Sequence, residues 1–217
     1  MKTPGINRFL LLIGLIFNAI LPVNAGQYYF SAYSIEDGLS QSVVNCIFQD
    51  SRGYIWLGTQ NGLNKFNGYV FTVYTHDPSD LNSIPNNWIF SIAEDKFSDL
   101  WIGTKNGLVK YDRSEDRFIS VEYQTPFGRQ ITRYVYDVKC SRDGHILINT
   151  PPVLSVCDPA SNTFLHFKST LPIDESVKDF NIPLLESKDG RIWVGSSTGL
   201  SVFNPATADF KIGRAQV

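Results

Sequence analysis

The stretch Tyr54–Phe66 reads YIWLGTQNGLNKF, and Leu100–Tyr111 reads LWIGTKNGLVKY. Nearly the same phrase is written twice, with Trp56 and Trp101 45 residues apart. Aligning the chain on this phrase yields four copies of one unit. They are DSRGYIWLGTQNGLNKFN from Asp50, DKFSDLWIGTKNGLVKYD from Asp95, SRDGHILINTPPVLSVCD from Ser141 and SKDGRIWVGSSTGLSVFN from Ser187. The anchor position holds Trp56, Trp101, Leu147 and Trp193, and Gly58, Gly103, Asn149 and Gly195 follow two residues later. Gly62, Gly107 and Gly199 mark a later turn, where the divergent third copy has Pro151 and Pro152.

Each unit parses into four short strands. Strand A precedes the first turn (VVNCIFQD, WIFSIAED, YVYDVKC, FNIPLLES), and strand B carries the anchor (YIWLGT, LWIGT, RIWVGS). Strand C is LNKF, LVKY or LSVF, and strand D is aromatic and β-branched (YVFTVYTH, RFISVEY, TFLHFK, DFKI). Asn61-Gly62 and Asn106-Gly107 suit a two-residue hairpin between B and C, with positive φ at both centres. Strands this short and regular, without helical periodicity between them, indicate an all-β fold. A four-stranded unit of this length is the signature of a β-propeller blade, so a partial propeller of about four blades is expected. One such sheet cannot bury both faces alone. The strand-B tryptophan is the expected filler of each gap between blades, worth on the order of 2–3 kcal/mol, and the glycine after it lets the neighbouring sheet approach. The expected division is residues 1–25 as a signal peptide, 26–39 as an N-terminal outer strand, and blades at 40–84, 85–130, 131–176 (divergent) and 177–217.

The chain has 217 residues, 43% hydrophobic and 13% aromatic, enough for a packed core. Nineteen Lys and Arg against 21 Asp and Glu leave a formal charge of −2. There is no basic stripe, so nothing electrostatic argues for nucleic acid or an anionic membrane surface. Lys2 and Arg8 precede the apolar run FLLLIGLIFNAIL (Phe9–Leu21), and Ala25 is a small residue before Gly26. This is the pattern of an export signal, cleaved before Gly26 or retained as an anchor. The run is shorter than the roughly 20 residues of a spanning helix. Of the cysteines, Cys46, Cys140 and Cys157, at least one lacks an intrachain partner. Buried small hydrophobes are the first reading, and a Cys140–Cys157 bridge is the competing one.

The pattern D-x-x-G-x-[IL]-W-[IL]-G-T-x-N-G-L-x-[KR]-[FY], preceded by YSIEDGLSQ (Tyr33–Gln41), resembles the two-component regulator propeller repeat. The resemblance covers residues 27–213. It implies a periplasmic sensor region of a Bacteroidetes-type hybrid two-component histidine kinase. Full-length members carry two propellers, a sandwich domain, a membrane helix, a kinase core and often a receiver with a DNA-binding domain. Many respond to oligosaccharides and switch on genes for using them, signalling as dimers. No kinase sequence is present here. Phe30–Tyr33 resembles strand D (compare Phe71–Tyr74) but has no A, B or C strands of its own. The count of four A-B-C triplets and five D strands suggests the N-terminal piece of a longer sensor. The competing class is a stand-alone secreted binding or scaffold module.

In propellers the D–A loops and B–C turns gather on one face, where ligands commonly sit. Trp88, Arg133 and Tyr134 near the start of strand A, with Gln60 and Lys105 on B–C turns, are therefore the candidate ligand residues. A ring to stack on, with amides and cations beside it, is the chemistry that recognises sugars. Each also has a plain structural role as core aromatic, turn residue or solvated cation. His76, His145 and His166 fall at unrelated repeat positions, so no metal is expected. The acids Asp50, Asp95, Glu94, Glu36 and Asp37 sit at turns, where a carboxylate caps backbone N–H groups. They show no sign of the paired, converging carboxylates of a glycosidase. SKDGRIW (Ser187–Trp193) comes one residue short of the sialidase Asp-box. No catalytic residue and no cofactor is expected.

Overall fold

The computed structural model describes residues 29–122, 134–169, 183–196 and 199–212. It divides into Met1–Ala32 and Tyr33–Val217. In the first unit, Tyr29 and Phe30 are exposed and 29–32 carry no regular structure. The expected export signal lies outside the described residues.

Among the described residues the second unit is all-β apart from one turn of 3-10 helix at Ile35–Asp37, capped by Ser34. It contains four antiparallel four-stranded meanders. Blade 1 is β1 (Val44–Gln49), β2 (Ile55–Thr59), β3 (Leu63–Phe66) and β4 (Phe71–Tyr74); blade 2 is β5 (Ile89–Glu94), β6 (Leu100–Thr104), β7 (Gly107–Asp112) and β8 (Arg117–Val121). Blade 3 is β9 (Asp137–Cys140), β10 (Ile146–Thr150), β11 (Val153–Asp158) and β12 (Thr163–Lys168); blade 4 is β13 (Leu184–Glu186), β14 (Ile192–Ser196), β15 (Gly199–Asn204) and β16 (Asp209–Ile212). The first strands line up: β1 lies against β5, β5 against β9, and β9 against β13.

The apolar cores lie between sheets. Trp56 and Leu63 of blade 1 pack with Ile92, Leu100, Ile102, Val109, Tyr111 and Phe118 of blade 2. Trp101 and Leu108 of blade 2 pack with Val138, Ile146, Ile148 and Cys157 of blade 3. Leu147 and Leu154 of blade 3 pack with Leu184, Ile192, Val194 and Phe203 of blade 4. Strand alternation explains this: odd and even positions of one sheet face opposite neighbours. Trp56 and Trp101 are 0% and 1% exposed, whereas Trp193 on the far side of blade 4 is only half-buried. Leu147 fills the wedge position of the third copy at 2%.

The wedge is fixed by the acid six residues before it. The indole Nε1–H of Trp56 donates to Asp50 Oδ2, and that of Trp101 to Asp95 Oδ2, each at 2.8 Å. The second carboxylate oxygen of each acid accepts two N–H groups of the A–B turn, from Arg52 and Tyr54 or from Phe97 and Asp99. In copies three and four the acid is Ser141 or Ser187, which closes the turn instead, with its Oγ within bonding reach of the carbonyl of His145 or Arg191.

Asp50 also receives Arg113 Nη1 of blade 2 at 2.7 Å, and Arg113 Nη2 reaches Glu94 at 2.9 Å. Glu94 in turn accepts the N–H and Oγ–H of Ser51, tying the two blades at their A–B turns. Between blades 3 and 4, Glu186 accepts Arg142 N–H in the same way. The blade 2–3 seam has Cys140 at this position and no such tie.

Two expectations need correction. Of Asn61-Gly62 and Asn106-Gly107, only the glycines have positive φ, +122° and +104°. The turn closes from Thr59 to Gly62, whose O accepts Thr59 N–H at 3.1 Å. The central pair is thus Gln60-Asn61, and the glycine follows as a bulge, the three-residue hairpin solution. Phe30–Tyr33, expected as an orphan outer strand with no triplet of its own in this chain, pairs with none of the four sheets described, each of which has four strands; Tyr33 sets its ring on Phe66 and Phe71, at 4.9 and 5.9 Å between centroids. The alternative of a Cys140–Cys157 bridge is excluded too. All three cysteines are free, and both residues pair with Ile146 from opposite sides, two inter-strand steps (roughly 9–10 Å) apart. Burial pushes the Cys46 and Cys157 thiols up to about 12 and about 11, as befits inert core groups.

The repeated glycines do different work, which a pair of alanine variants separates. A Cβ on Gly58 would stand 2.6 Å from Cys46 Sγ and 2.9 Å from Ile89 Cβ, whereas one on Gly107 would meet nothing within 4 Å. Thermal melts should show Gly58→Ala losing about 1–3 kcal/mol through overpacking, and Gly107→Ala about 1 kcal/mol through its left-handed backbone alone. Equal losses would refute this division.

Asp50 gives a pH signature. Burial opposes its charge, but the bonds from Trp56 and Arg113 outweigh that and hold its pKa below the usual carboxylate value. A depressed folded-state pKa means stability present above the unfolded value, about 3.9, and lost as pH falls through the folded one. Asp50→Ala should cost about 3 kcal/mol at neutral pH, because buried Arg113 loses a partner. Asp95→Ala, with no arginine on its carboxylate, should cost less. The acid-side fall in melting temperature should be shallower in Asp50→Ala than in wild type; an unchanged slope would contradict the assignment.

Candidate functional site

Where blades 2 and 3 meet, side chains from three segments converge. Trp88 directly precedes β5 and Phe90 lies within it; Tyr134 and Tyr136 occupy the same positions before β9. Phe90, 7% exposed, bridges them: its ring centroid lies 6.0 Å from Trp88, 5.3 Å from Tyr136 and 6.4 Å from Tyr134. Tyr134 and Tyr136 meet edge to face at 5.9 Å. Lys105, on the β6–β7 turn, donates its backbone N–H to Trp88 O at 3.1 Å. Its Nζ sits 4.5 Å from the Trp88 ring centroid and 5.8 Å from that of Tyr134. An ammonium so placed is held by the ring quadrupole while it keeps hydrogen-bond donors.

The structure therefore joins Trp88, Tyr134 and Lys105. Arg133 lies outside the described residues. Gln60 occupies the Lys105 position of blade 1 but has exposed Val43 where Trp88 would be, and its backbone N–H is held by Gln41 Oε1 at 3.0 Å. Phe90 and Tyr136 were missed from sequence, although the copy-equivalent pairs W-x-F and Y-x-Y carried the signal.

Below this cluster, the inner strands β1, β5 and β9 line an open groove of about 790 Å³ that includes Asn45, Phe90, Tyr136, Asp137, Lys139 and Pro183. Asn45 Nδ2 donates to Ile89 O at 2.9 Å, and Asp137 Oδ2 accepts Leu184 N–H at 2.7 Å, so both amide and acid stitch neighbouring blades. Burial pushes the Asp137 carboxyl up, against the opposing effects of that N–H and of Lys139. Tyr136 is likewise raised, by burial first and then by Tyr134.

Elsewhere the titratable groups serve the frame. Asp116 accepts the hydroxyls of Tyr74 and Tyr111 at 2.8 and 2.5 Å, and Asp37 caps the turn at Ser34. His76 Nδ1 lies 2.9 Å from Ile84 O, and His145 pairs with Asp143 at 3.0 Å. Among the described residues no three or more His, Cys, Asp or Glu gather as a metal site, and no helix is long and apolar enough to cross a membrane.

Comparison with known proteins identifies the repeat. Residues 38–61 and 83–106 each match the two component regulator propeller family. These matches run from the approach to strand A through strand A, the A–B turn and strand B to the start of the B–C turn in blades 1 and 2. Histidine kinase P4 of Formosa agariphila is 44% identical over 64 residues, 30% of this chain and 5% of that protein. The extracellular domain assigned to the hybrid two component system BT3049 of B. thetaiotaomicron superposes with a TM-score of 0.61 at 24% identity, over 85% of this chain and 32% of that one. The extracellular domain assigned to the one component system BT4673 of the same organism gives 0.60 at 25%, over 81% and 22%. The chain thus spans about a third or less of the length of these relatives. Two segments of the chain, residues 38–61 and 83–106, thus match two-component regulator propeller repeats, and the chain shares the propeller-type fold of the extracellular domains of such sensor systems.

Proposed function

We propose that the chain is a ligand-sensing propeller region of an extracytoplasmic sensor, and that the Trp88–Tyr134–Lys105 cluster contacts an oligosaccharide. The observation that carries this reading is the convergence of two aromatic rings and a lysine from two different blades at the turn end of the groove. Sugars present apolar C–H faces and a fringe of hydroxyls; rings receive the former, and the Lys105 ammonium and nearby backbone groups receive the latter. Asp50, Asp95, Glu94, Asp116, Asp137 and Glu186 are engaged in turns and seams, which favours a reading of recognition, and a propeller fold by itself assigns no catalysis. In a membrane-anchored, dimeric sensor, ligand bound between blades 2 and 3 would favour one packing of the propeller over another. That bias would shift the population of signalling states. An N-terminal export signal fits this location.

The test is calorimetric titration of the purified chain with a panel of neutral and acidic oligosaccharides. At least one should bind, Trp88→Ala and Tyr134→Ala should each weaken it by about 5- to 30-fold, equivalent to about 1–2 kcal/mol, and Lys105→Ala should hurt acidic sugars more than neutral ones. Failure of the whole panel, or binding indifferent to Trp88→Ala, would overturn the reading.

A further inference from the structure

The Trp88 cluster is tied to the seam on its other side as well. Gly62 of the β2–β3 turn donates its N–H to Asn87 O at 2.8 Å, and Lys105 of the β6–β7 turn donates its own to Trp88 O at 3.1 Å. One peptide unit, about 3.8 Å between Cα atoms, therefore separates the anchor of the blade 1 turn from that of the blade 2 turn. The turn of blade 1 is the next surface beside Trp88.

The side chains along this path are amides. Asn86 Oδ1 accepts Trp88 N–H at 2.9 Å, Asn87 Oδ1 accepts His76 N–H at 2.6 Å, and Gln41 Oε1 accepts Gln60 N–H at 3.0 Å. Each of these half-buried residues commits its oxygen to the backbone. That bond orients the amide and leaves its NH2 group as a donor with no partner among the described residues. Gln60, exposed at the turn tip, adds a side-chain amide that bonds nothing among the described residues. At this repeat position blade 2 carries the cation Lys105, whereas blade 1 carries a neutral group. An amide already held by its own oxygen loses little freedom when its N–H meets a hydroxyl. A row of neutral donors, by contrast, gives an anionic substituent no counter-charge.

We propose that the amides of Asn86, Asn87, Gln60 and Gln41 form a second subsite, which takes a neutral, hydroxyl-bearing sugar unit linked to the unit that stacks on Trp88. The proposal rests on the reading of Trp88, Tyr134 and Lys105 as a sugar contact. It sets the smallest full ligand at two linked units. It also divides the site: rings and a cation act at the seam of blades 2 and 3, and neutral amides act towards blade 1.

Calorimetric titration of the purified chain with xylo-, cello-, manno- and malto-oligosaccharides of increasing length tests it, with circular dichroism as the check on folding. In at least one series affinity should rise about tenfold when a second unit is added, the worth of one or two hydrogen bonds to neutral donors. Gln60→Ala removes an exposed amide; Asn87→Asp keeps an acceptor for His76 N–H and removes the donor. Each should flatten that rise with length, whereas Trp88→Ala should weaken every length alike. Binding that Trp88→Ala weakens, but that is indifferent to length or to both amide variants, would overturn the second subsite and leave the Trp88 contact standing. No binding by any neutral series would overturn the second subsite too, and the Trp88 contact falls with it only if acidic oligosaccharides also fail. Binding of every length indifferent to Trp88→Ala would overturn both.

Discussion

The structure depends on one contact: an indole from strand B of one sheet pressed into the next sheet and pinned by its own N–H to a carboxylate. A four-stranded meander has two apolar faces and too little chain to cover either, so each sheet is stable only through its neighbours. The carboxylate that holds Trp56 also orders the A–B turn and receives Arg113 from the adjoining blade. One acid thereby sets the rotamer of the wedge, the shape of the turn and the angle of the seam. Where serine replaces the acid, in the third and fourth copies, the turn survives on hydroxyl bonds, and the wedge becomes Leu147 or the looser Trp193.

This arrangement decides where specificity can reside. Residues that repeat are committed to seams, and those that vary lie at strand starts and turn tips. Trp88, Tyr134 and Lys105 belong to the second class. Their counterparts in blade 1 are Val43 for the aromatic position and Gln60 for the cation, so the cluster is a property of the seam between blades 2 and 3 and not of the repeat. The same seam lacks the glutamate tie, having Cys140 at that position. The proposed ligand contact therefore stands at a join without that glutamate tie.

Most of the architecture was legible because it is written in period-two alternation and in a 45-residue echo. Strand D of the third and fourth copies and strand B of the second match their sequence-derived bounds. The misreadings share a cause: local letters were trusted where a longer-range partner decides. Asn-Gly is the strongest short hairpin signal, yet the side chain of Thr59, which accepts Asn61 N–H and donates to Gly62 O, moves the turn one residue earlier. Cys140 and Cys157 could be joined on paper, but their strands set them on opposite sides of Ile146. The cluster was half visible: Trp88, Tyr134 and Lys105 could be named from repeat position, while Phe90 and Tyr136 looked like ordinary strand aromatics until the bend at the start of β5 was known.

If cores lie between sheets, protection against exchange must follow the number of neighbours a sheet has. Amide hydrogen exchange resolved by residue, at a concentration where the chain is single, measures this directly. The account requires the strand amides of blades 2 and 3, flanked on both sides, to exchange most slowly, with blades 1 and 4 opening at lower free energy. Uniform protection across all four sheets, or blade 4 protected beyond blade 2, would contradict it.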